Sequence, residues 1–269
     1  MAVIETERLT KRYGSARGIE DVTVSIERAE VFGFLGPNGA GKTTAIRTLL
    51  DFLHPTSGEA RIFGLDSHRD SVAIHARLGN LPGDFGYGKQ STGREALRLL
   101  ARLRGVEGLG RAEPLAERFH ADLDRPLGEL SRGNRQKVGL ILATFHSPEL
   151  LILDEPTSGL DPLMQEEFLA LVTEERERGC TVLLSSHELD EVERVCDRVG
   201  IVREGKLIAV ERVAKLLAKT QRRNRVEVEF SKPVELEDVR QIPGVVDAEF
   251  AHANLEEVFL TYYKEGEEG

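Results

Sequence analysis

Residues 36–43 read GPNGAGKT, and these residue types at this spacing can hold the phosphates of a nucleotide. Gly36, Gly39 and Gly41 let the backbone turn tightly enough for its N–H groups to point at a β-phosphate. Pro37, Asn38 and Ala40 complete the loop, and a helix that follows would add its N-terminal dipole. Lys42 is placed to reach the β- and γ-phosphates as a point charge. The Thr43 hydroxyl can ligate Mg²⁺, and Thr44 can donate to a phosphate.

A second group of polar residues falls at the ends of apolar runs. Residues 150–153 are LLIL, followed by Asp154, Glu155 and Pro156. Adjacent acids are usually solvated, but these terminate a buried-type strand, and the proline stops it. Asp154 can then face the Mg²⁺, directly or through water, while Glu155 orients or deprotonates an attacking water. His187 follows another strand-like run, 181–185. At a strand C-terminus beside the phosphate strand it can bond the γ-phosphate and sense its loss.

Short buried strands must position these side chains. Strand-type runs occur at 3–9, 22–26, 31–35, 150–153, 181–185, 199–203 and 206–210. Most are continuous apolar segments bounded by turns, as in an α/β core. Helical periodicity covers 42–50, 93–103, 131–142, 164–177 and 188–195. Strand 31–35, the glycine-rich loop and helix 42–50 follow in the order that a phosphate loop requires. Gly205 in REGKL reads as a hairpin turn. Residues 83–147 hold helices and glycine-rich breaks without strands, which predicts a helical insert. Beyond residue 220 the character changes. VEVEF at 226–230 alternates as a half-exposed strand does, apolar runs at 239–242 and 245–250 flank a turn at Pro243 and Gly244, and 255–263 reads as a helix before an acidic tail. The expected architecture is α/β, with a β-rich N-terminal part and a helical subdomain at about 84–147, all within a domain 1–219. Residues 220–269 form a small α+β extension.

Bulk properties exclude several classes. A chain of 269 residues, 40% hydrophobic and 30% charged, can bury a real core. Its net charge of -10 argues against a general nucleic-acid surface, and the basic cluster at 215–225 reads as a solvated linker face. No apolar run approaches the roughly 18 residues of a membrane span, and residues 1–11 lack a signal-peptide pattern. A cytoplasmic location is expected. Cys180 and Cys196 read as small buried hydrophobes in a reducing compartment.

Five motifs in sequence, with Tyr13 upstream, carry a family resemblance. They are GPNGAGKT at 36–43, LSRGN at 130–134, LLILDEP at 150–156, SGLD at 158–161 and SSHELDE at 185–191. Over about residues 3–210 the chain resembles the ATP-binding subunit of an ATP-binding cassette (ABC) transporter. It is similar to the exporter branch that drives separately encoded drug, antibiotic or polysaccharide permeases, and its C-terminal extension ending in LEEVFLTYY is typical of that branch. The resemblance implies a P-loop NTPase cassette that binds ATP and Mg²⁺ and hydrolyses ATP to energise export. It also implies an integral-membrane permease as partner, which would hold the chain on the inner face of the cell membrane. A head-to-tail dimer, homodimeric or closely related heterodimeric, would hold two ATP molecules at its interface. Tyr13 would stack on adenine. Ser131 and Gly133 would face the γ-phosphate of the opposite subunit, where a helix N-terminus favours an anion. Asp161 would belong to the loop connecting the two sites.

Two departures from the family pattern stand out. The family signature LSGGQ is LSRGN here, so Arg132 replaces a glycine and is expected to reach solvent or an acidic partner. Gly83 occupies the position where the family usually carries a glutamine that links Mg²⁺ and water to the helical subdomain. Asp84 is the nearest replacement, and a carboxylate near Mg²⁺ is chemically reasonable. Residues 83–92 would dock the permease, with Phe85 and Tyr87 as anchors. The alternative is an ABC-type ATPase acting on ribosomes or DNA, which the single cassette and negative charge disfavour. No nucleic-acid partner is expected.

Overall fold

The sheet that carries the site is built from strands with no polar face. β3 (Val31–Leu35), β7 (Leu150–Asp154) and β8 (Thr181–Ser186) are buried along nearly all their length, so both sides must be covered. The computed structural model describes residues 2–14, 16–83, 88, 90–220, 228, 230, 232, 234–245 and 248. In it, these strands join β6 (Leu78–Leu81), β9 (Arg198–Arg203) and β10 (Lys206–Arg212) in the order β10-β9-β3-β8-β7-β6. Pairing is parallel from β9 to β6, and β10 returns antiparallel on β9. Its turn is at Gly205, where φ of +78° suits glycine. A second, antiparallel sheet holds β1 (Ala2–Tyr13), β2 (Ala16–Glu27), β4 (Ser57–Ile62) and β5 (Leu65–Asp66) in the order β2-β1-β4-β5.

The core lies between the sheets, around α1 (Lys42–Leu49). Ile46 and Leu49 of α1 share one cluster with Ile4, Ile26 and Ile62 of the antiparallel sheet and Phe32, Phe34, Ile152 and Leu183 of the other. Phe32 and Phe34 meet edge to face at 5.6 Å, and each such fully buried side chain contributes about 1.5–3 kcal/mol. α6 (Pro162–Glu177) and α7 (Leu189–Val195) pack on β8 and β3. Gly33 permits that approach, since a Cβ there would stand 3.0 Å from Cys196 Sγ. Both cysteines are buried, and burial pushes the Cys180 thiol up to about 12 and raises that of Cys196 as well. They pack as small hydrophobes with little thiolate character, as the sequence predicts.

Between residues 92 and 144 the described chain is helical: α3 (Gly93–Arg104), α4 (Ala112–Arg118), a 3-10 turn Leu127–Glu129, and α5 (Arg132–Thr144). α3 has local start and stop signals, a Thr92–Glu95 capping box and Gly105 in the left-handed region at its end. α5 is different. It is buried from Gln136 to Thr144, and it lies so close to β6 that a Cβ at Gly79 would stand 1.9 Å from the Ala143 carbonyl oxygen. Arg111–Glu175 and Arg118–Glu167, both at 2.6 Å, tie the helical region to α6. The sequence reading does not include β4, β5, β6, α2 (Ser71–Arg77), α4 or α8 (Val213–Thr220), all of eight residues or fewer.

The chain divides into two compact units, Met1–Leu216 and Leu217–Gly269. α8 (Val213–Thr220) follows β10, and Lys215 at its start pairs with Glu211 at 2.9 Å. In the second unit, the apolar run at 239–242 falls in the last turn of α9 (Leu236–Arg240) and the turn beyond it. Of the strand expected at 226–230 only Val228 and Phe230 are described, and the helix at 255–263 lies outside the described residues, as do Asp84, Phe85 and Tyr87. Among the described residues no helix is long and apolar enough to cross a membrane.

Candidate active site

Strand order gathers the site. β8 lies between β3 and β7, with Leu35 opposite Ser186 and Asp154 opposite Ser185, so the C-terminal ends of three adjacent strands meet on one edge. In open α/β sheets that edge is where ligands bind. The loop after β3 turns through Gly39 and Gly41, at φ +79° and +110°, before α1 begins. Gly36 is required by close approach, because a Cβ would stand 2.2 Å from the Val202 carbonyl oxygen of β9. Pro37, Asn38 and Gly39 are exposed, Ala40 is buried, and Thr43 and Thr44 occupy the first turn of α1, half-buried.

Lys42 is 4% exposed, and three acceptors surround its ammonium. Nζ donates to the carbonyls of Gly36 (2.6 Å) and Pro37 (3.3 Å) and pairs with Glu155 Oε1 at 3.1 Å. Glu155 Oε2 lies 2.7 Å from His187 Nδ1. One carboxylate therefore bridges the phosphate-loop lysine and the histidine after β8. Glu155 sits at φ +51°, a left-handed conformation that costs a non-glycine residue about 1–3 kcal/mol. Its neighbours hold it there. The Glu155 N–H donates to Ser185 O and Oγ (3.2 and 3.0 Å), and buried Gln136 of α5 donates to the carbonyls of Glu155 and Pro156 (3.1 and 2.9 Å).

Asp154 is 2% exposed, and its Oδ1 accepts from Ser185 Oγ at 2.6 Å. Its Oδ2 faces position 83, where a Cβ would stand 3.2 Å away. Gly83 thus lies directly against Asp154. A buried carboxylate such as Asp154 is an oxygen ligand of the kind that suits a hard cation such as Mg²⁺. Behind His187, Ser186 Oγ donates to Glu191 Oε2 at 2.6 Å, and burial raises the pKa of Glu191 against the opposing hydroxyls of Ser186 and Thr157.

Tyr13 ends β1 at the hairpin with β2, 43% exposed, with Lys11 Nζ 5.6 Å from its ring centre. Nearby residues of β2 touch the phosphate loop. A Cβ at Gly41 would meet Ile19 Cγ2 at 3.1 Å and Gly18 O at 3.3 Å, and Gly205 N–H donates to Ala40 O at 2.8 Å.

Ser131 and Gly133 lie elsewhere, at the start of α5. Ser131 Oγ accepts from Asn134 N–H at 3.2 Å as the N-cap. Gly133 lies on the 158–161 loop, because a Cβ there would stand 2.4 Å from Gly159 O. Arg132 is exposed. Its Nη2 donates to Ser158 Oγ at 2.7 Å, and its stem lies along Gly159. Asp161 Oδ1 accepts from Met164 N–H at 3.0 Å and caps α6. Sequence reasoning missed Ser185, Gln136, Gly18 and the Arg132–Ser158 bond. Ser185, which opens SSHELDE, and Gln136, on α5 close after LSRGN, carried a local signal.

A glycine-rich anion loop and two strand-end acids on a parallel sheet define a P-loop ATPase. The chain matches the ABC transporter family over residues 19–158. It is 39% identical over 209 residues to the bacitracin transport ATP-binding protein BcrA of Bacillus licheniformis, covering 77% of this chain and 68% of that one. It is 33% identical over 278 residues to the Nod factor export ATP-binding protein I of Paraburkholderia xenovorans, covering 95% and 90%. A solved ATP-binding subunit of an ABC transporter superposes with a TM-score of 0.74 at 29% identity, covering 81% of this chain and 93% of that one. The chain belongs to the ABC transporter family and is an ATPase with the family's mixed α/β cassette fold.

Proposed function

We propose that this chain hydrolyses ATP to energise export through a separate integral-membrane permease. The observation that carries the reading is the Glu155 carboxylate, held between Lys42 and His187 at the end of a buried strand. On this reading the backbone of Gly36–Thr44 and the Lys42 ammonium hold the phosphates, and Tyr13 stacks on the adenine. The γ-phosphate takes over from Glu155 as the partner of Lys42, which frees the carboxylate to accept a proton from the attacking water. His187 orients that carboxylate and bonds the γ-phosphate. Thr43 and Asp154 would hold Mg²⁺, with Ser185 fixing the aspartate. When bound, the ion would supply neutralisation of the phosphate charge.

The site is half of a composite one. Ser131 and Gly133 begin a helix whose N-terminus favours an anion, and their contacts lead to the 158–161 loop. Two copies of the chain, or one copy and a close relative, would each present this helix end to the partner's phosphates, with Asp161 near the seam. Asp84 follows Gly83, which lies against Asp154, and we assign it part of the missing glutamine's work. The names of the similar proteins, two of them antibiotic and Nod factor transport components, support export and a place at the inner face of the cell membrane through the permease. Within the chain, 1–219 would act as the motor and 220–269 as an accessory extension.

Phosphate release by the purified chain tests this. Glu155→Gln should keep ATP binding and lose turnover by about 10²–10⁴-fold, the usual contribution of a general base. Parental turnover would remove Glu155 from the mechanism. Asp84→Ala should shift the Mg²⁺ dependence of the rate, and an unchanged profile would remove Asp84. Co-purification with a membrane subunit is expected, whereas ATPase stimulation by ribosomes or DNA would overturn export.

A further inference from the structure

The end of α1 away from the phosphate loop carries groups that the ATPase reading leaves unused. Asp51 follows the helix at φ +59°, in the left-handed position that ends it. Its N–H donates to Thr48 O, and those of Phe52 and Leu53 donate to Arg47 O. Asp51 Oδ1 then stands 3.1 Å from His54 Nδ1 and 2.8 Å from His68 Nδ1. The two imidazoles meet edge to face with centroids 4.5 Å apart, and all three atoms lie within 4.8 Å of one another. Among the described residues no other set of three such ligands converges in this way.

The backbone fixes each part. Lys11 Nζ donates to His54 O at 2.7 Å. Asp66 Oδ1 accepts from the N–H groups of His68 and Arg69 at 3.0 and 2.9 Å, which holds the turn after β5. The cluster is preformed by the end of α1 and the turn after β5, and its two imidazole rings are 69% and 59% exposed.

We propose that Asp51, His54 and His68 form a binding site for a divalent transition-metal ion of the zinc class. An ionised carboxylate only accepts hydrogen bonds, so both rings turn Nδ1–H onto one oxygen. A single divalent ion would stand in place of those two hydrogens. Each ring carries its hydrogen on the exposed Nε2 instead and offers the Nδ1 lone pair, so no proton is gained or lost. Zinc takes nitrogen and oxygen ligands at about 2.0–2.2 Å, so tetrahedral ligands stand about 3.3 Å apart. The Asp51 contacts need widen by only a few tenths of an ångström, and water completes the shell. The carbonyl end of α1 adds favourable potential for a cation. Two imidazoles and one carboxylate favour zinc, cobalt, nickel or copper over Mg²⁺, unlike the all-oxygen set proposed at Thr43 and Asp154. The ion would clamp the outer end of α1, the helix that carries Lys42, to the turn after β5.

Titration of the untagged, nucleotide-free chain with Co²⁺ alone tests the site. We expect d–d absorption bands saturating at one ion per chain, displaced by Zn²⁺ and not by Mg²⁺. Asp51→Asn keeps a residue that tolerates the left-handed conformation and should weaken Co²⁺ binding about tenfold or more by removing the charged ligand. The His54→Ala, His68→Ala double variant should lose the bands while keeping the parental circular dichroism spectrum and ATPase rate. Absence of bands in the parent, or bands of equal strength in the double variant, would overturn the proposal.

Discussion

Glu155 is the residue where local conformation and chemistry meet. A left-handed glutamate at a strand end is costly, yet Ser185 and Gln136 each spend hydrogen bonds to keep it there. The strain aims one carboxylate at both Lys42 and His187, and in the proposed mechanism only the lysine contact yields when phosphate arrives. Gly133 is constrained differently, by proximity. A methyl group there would stand 2.4 Å from Gly159 O, so Gly133→Ala must push the 158–161 loop off α5. Overpacking of this kind costs about 1–3 kcal/mol. We expect a lowered Tm in thermal unfolding together with a raised KM for ATP, because the same loop carries Asp161. The signature's other glycine has become Arg132, whose bond to Ser158 joins the same two segments.

Among the elements, α5 does the connecting. Its N-terminus presents Ser131, its middle holds the Glu155 and Pro156 carbonyls through Gln136, and its C-terminal half is buried against β6. His146 follows it, near the Leu78 carbonyl at 3.3 Å. Burial first, and then the charge of Arg104, lower its pKa from 6.5 to about 4. The folded chain thus keeps this imidazole neutral where the unfolded chain protonates it, so stability falls as pH drops from 6.5 towards 4. His146→Phe removes that titration. Urea unfolding at several pH values should give a shallower loss over this window than in the parent. An equal slope would place the acid sensitivity elsewhere.

At the scale of the whole molecule, the cassette unit and the unit after Leu216 call for separate tests. If ATP alone closes two copies of the cassette, blocking hydrolysis should trap the closed pair. Glu155→Gln with ATP and Mg²⁺ should sediment as a dimer, and the same variant without nucleotide as a monomer. A chain of Glu155→Gln ended at Thr220 should still dimerise with ATP. Loss of the dimer in the shorter chain would assign the extension a part in the interface.

Sequence alone determined whatever is written in consecutive residues. The phosphate loop with its flanking strand and helix was legible, because the loop's glycines and lysine act through their own backbone and reach. The strands 150–153 and 181–185 were legible as unbroken apolar runs, and their polar ends identified Asp154, Glu155 and His187. Short or half-polar elements such as β4, β5 and α2 were not, since a few residues carry too little periodicity to outweigh their neighbours. Tertiary structure decided the rest. That β8 lies between β3 and β7 brings Ser185 to Asp154, and that Arg132 meets Ser158 depends on α5 lying on the 158–161 loop. Contacts between segments tens of residues apart are set by which surfaces bury together, and no local run of residues encodes that choice.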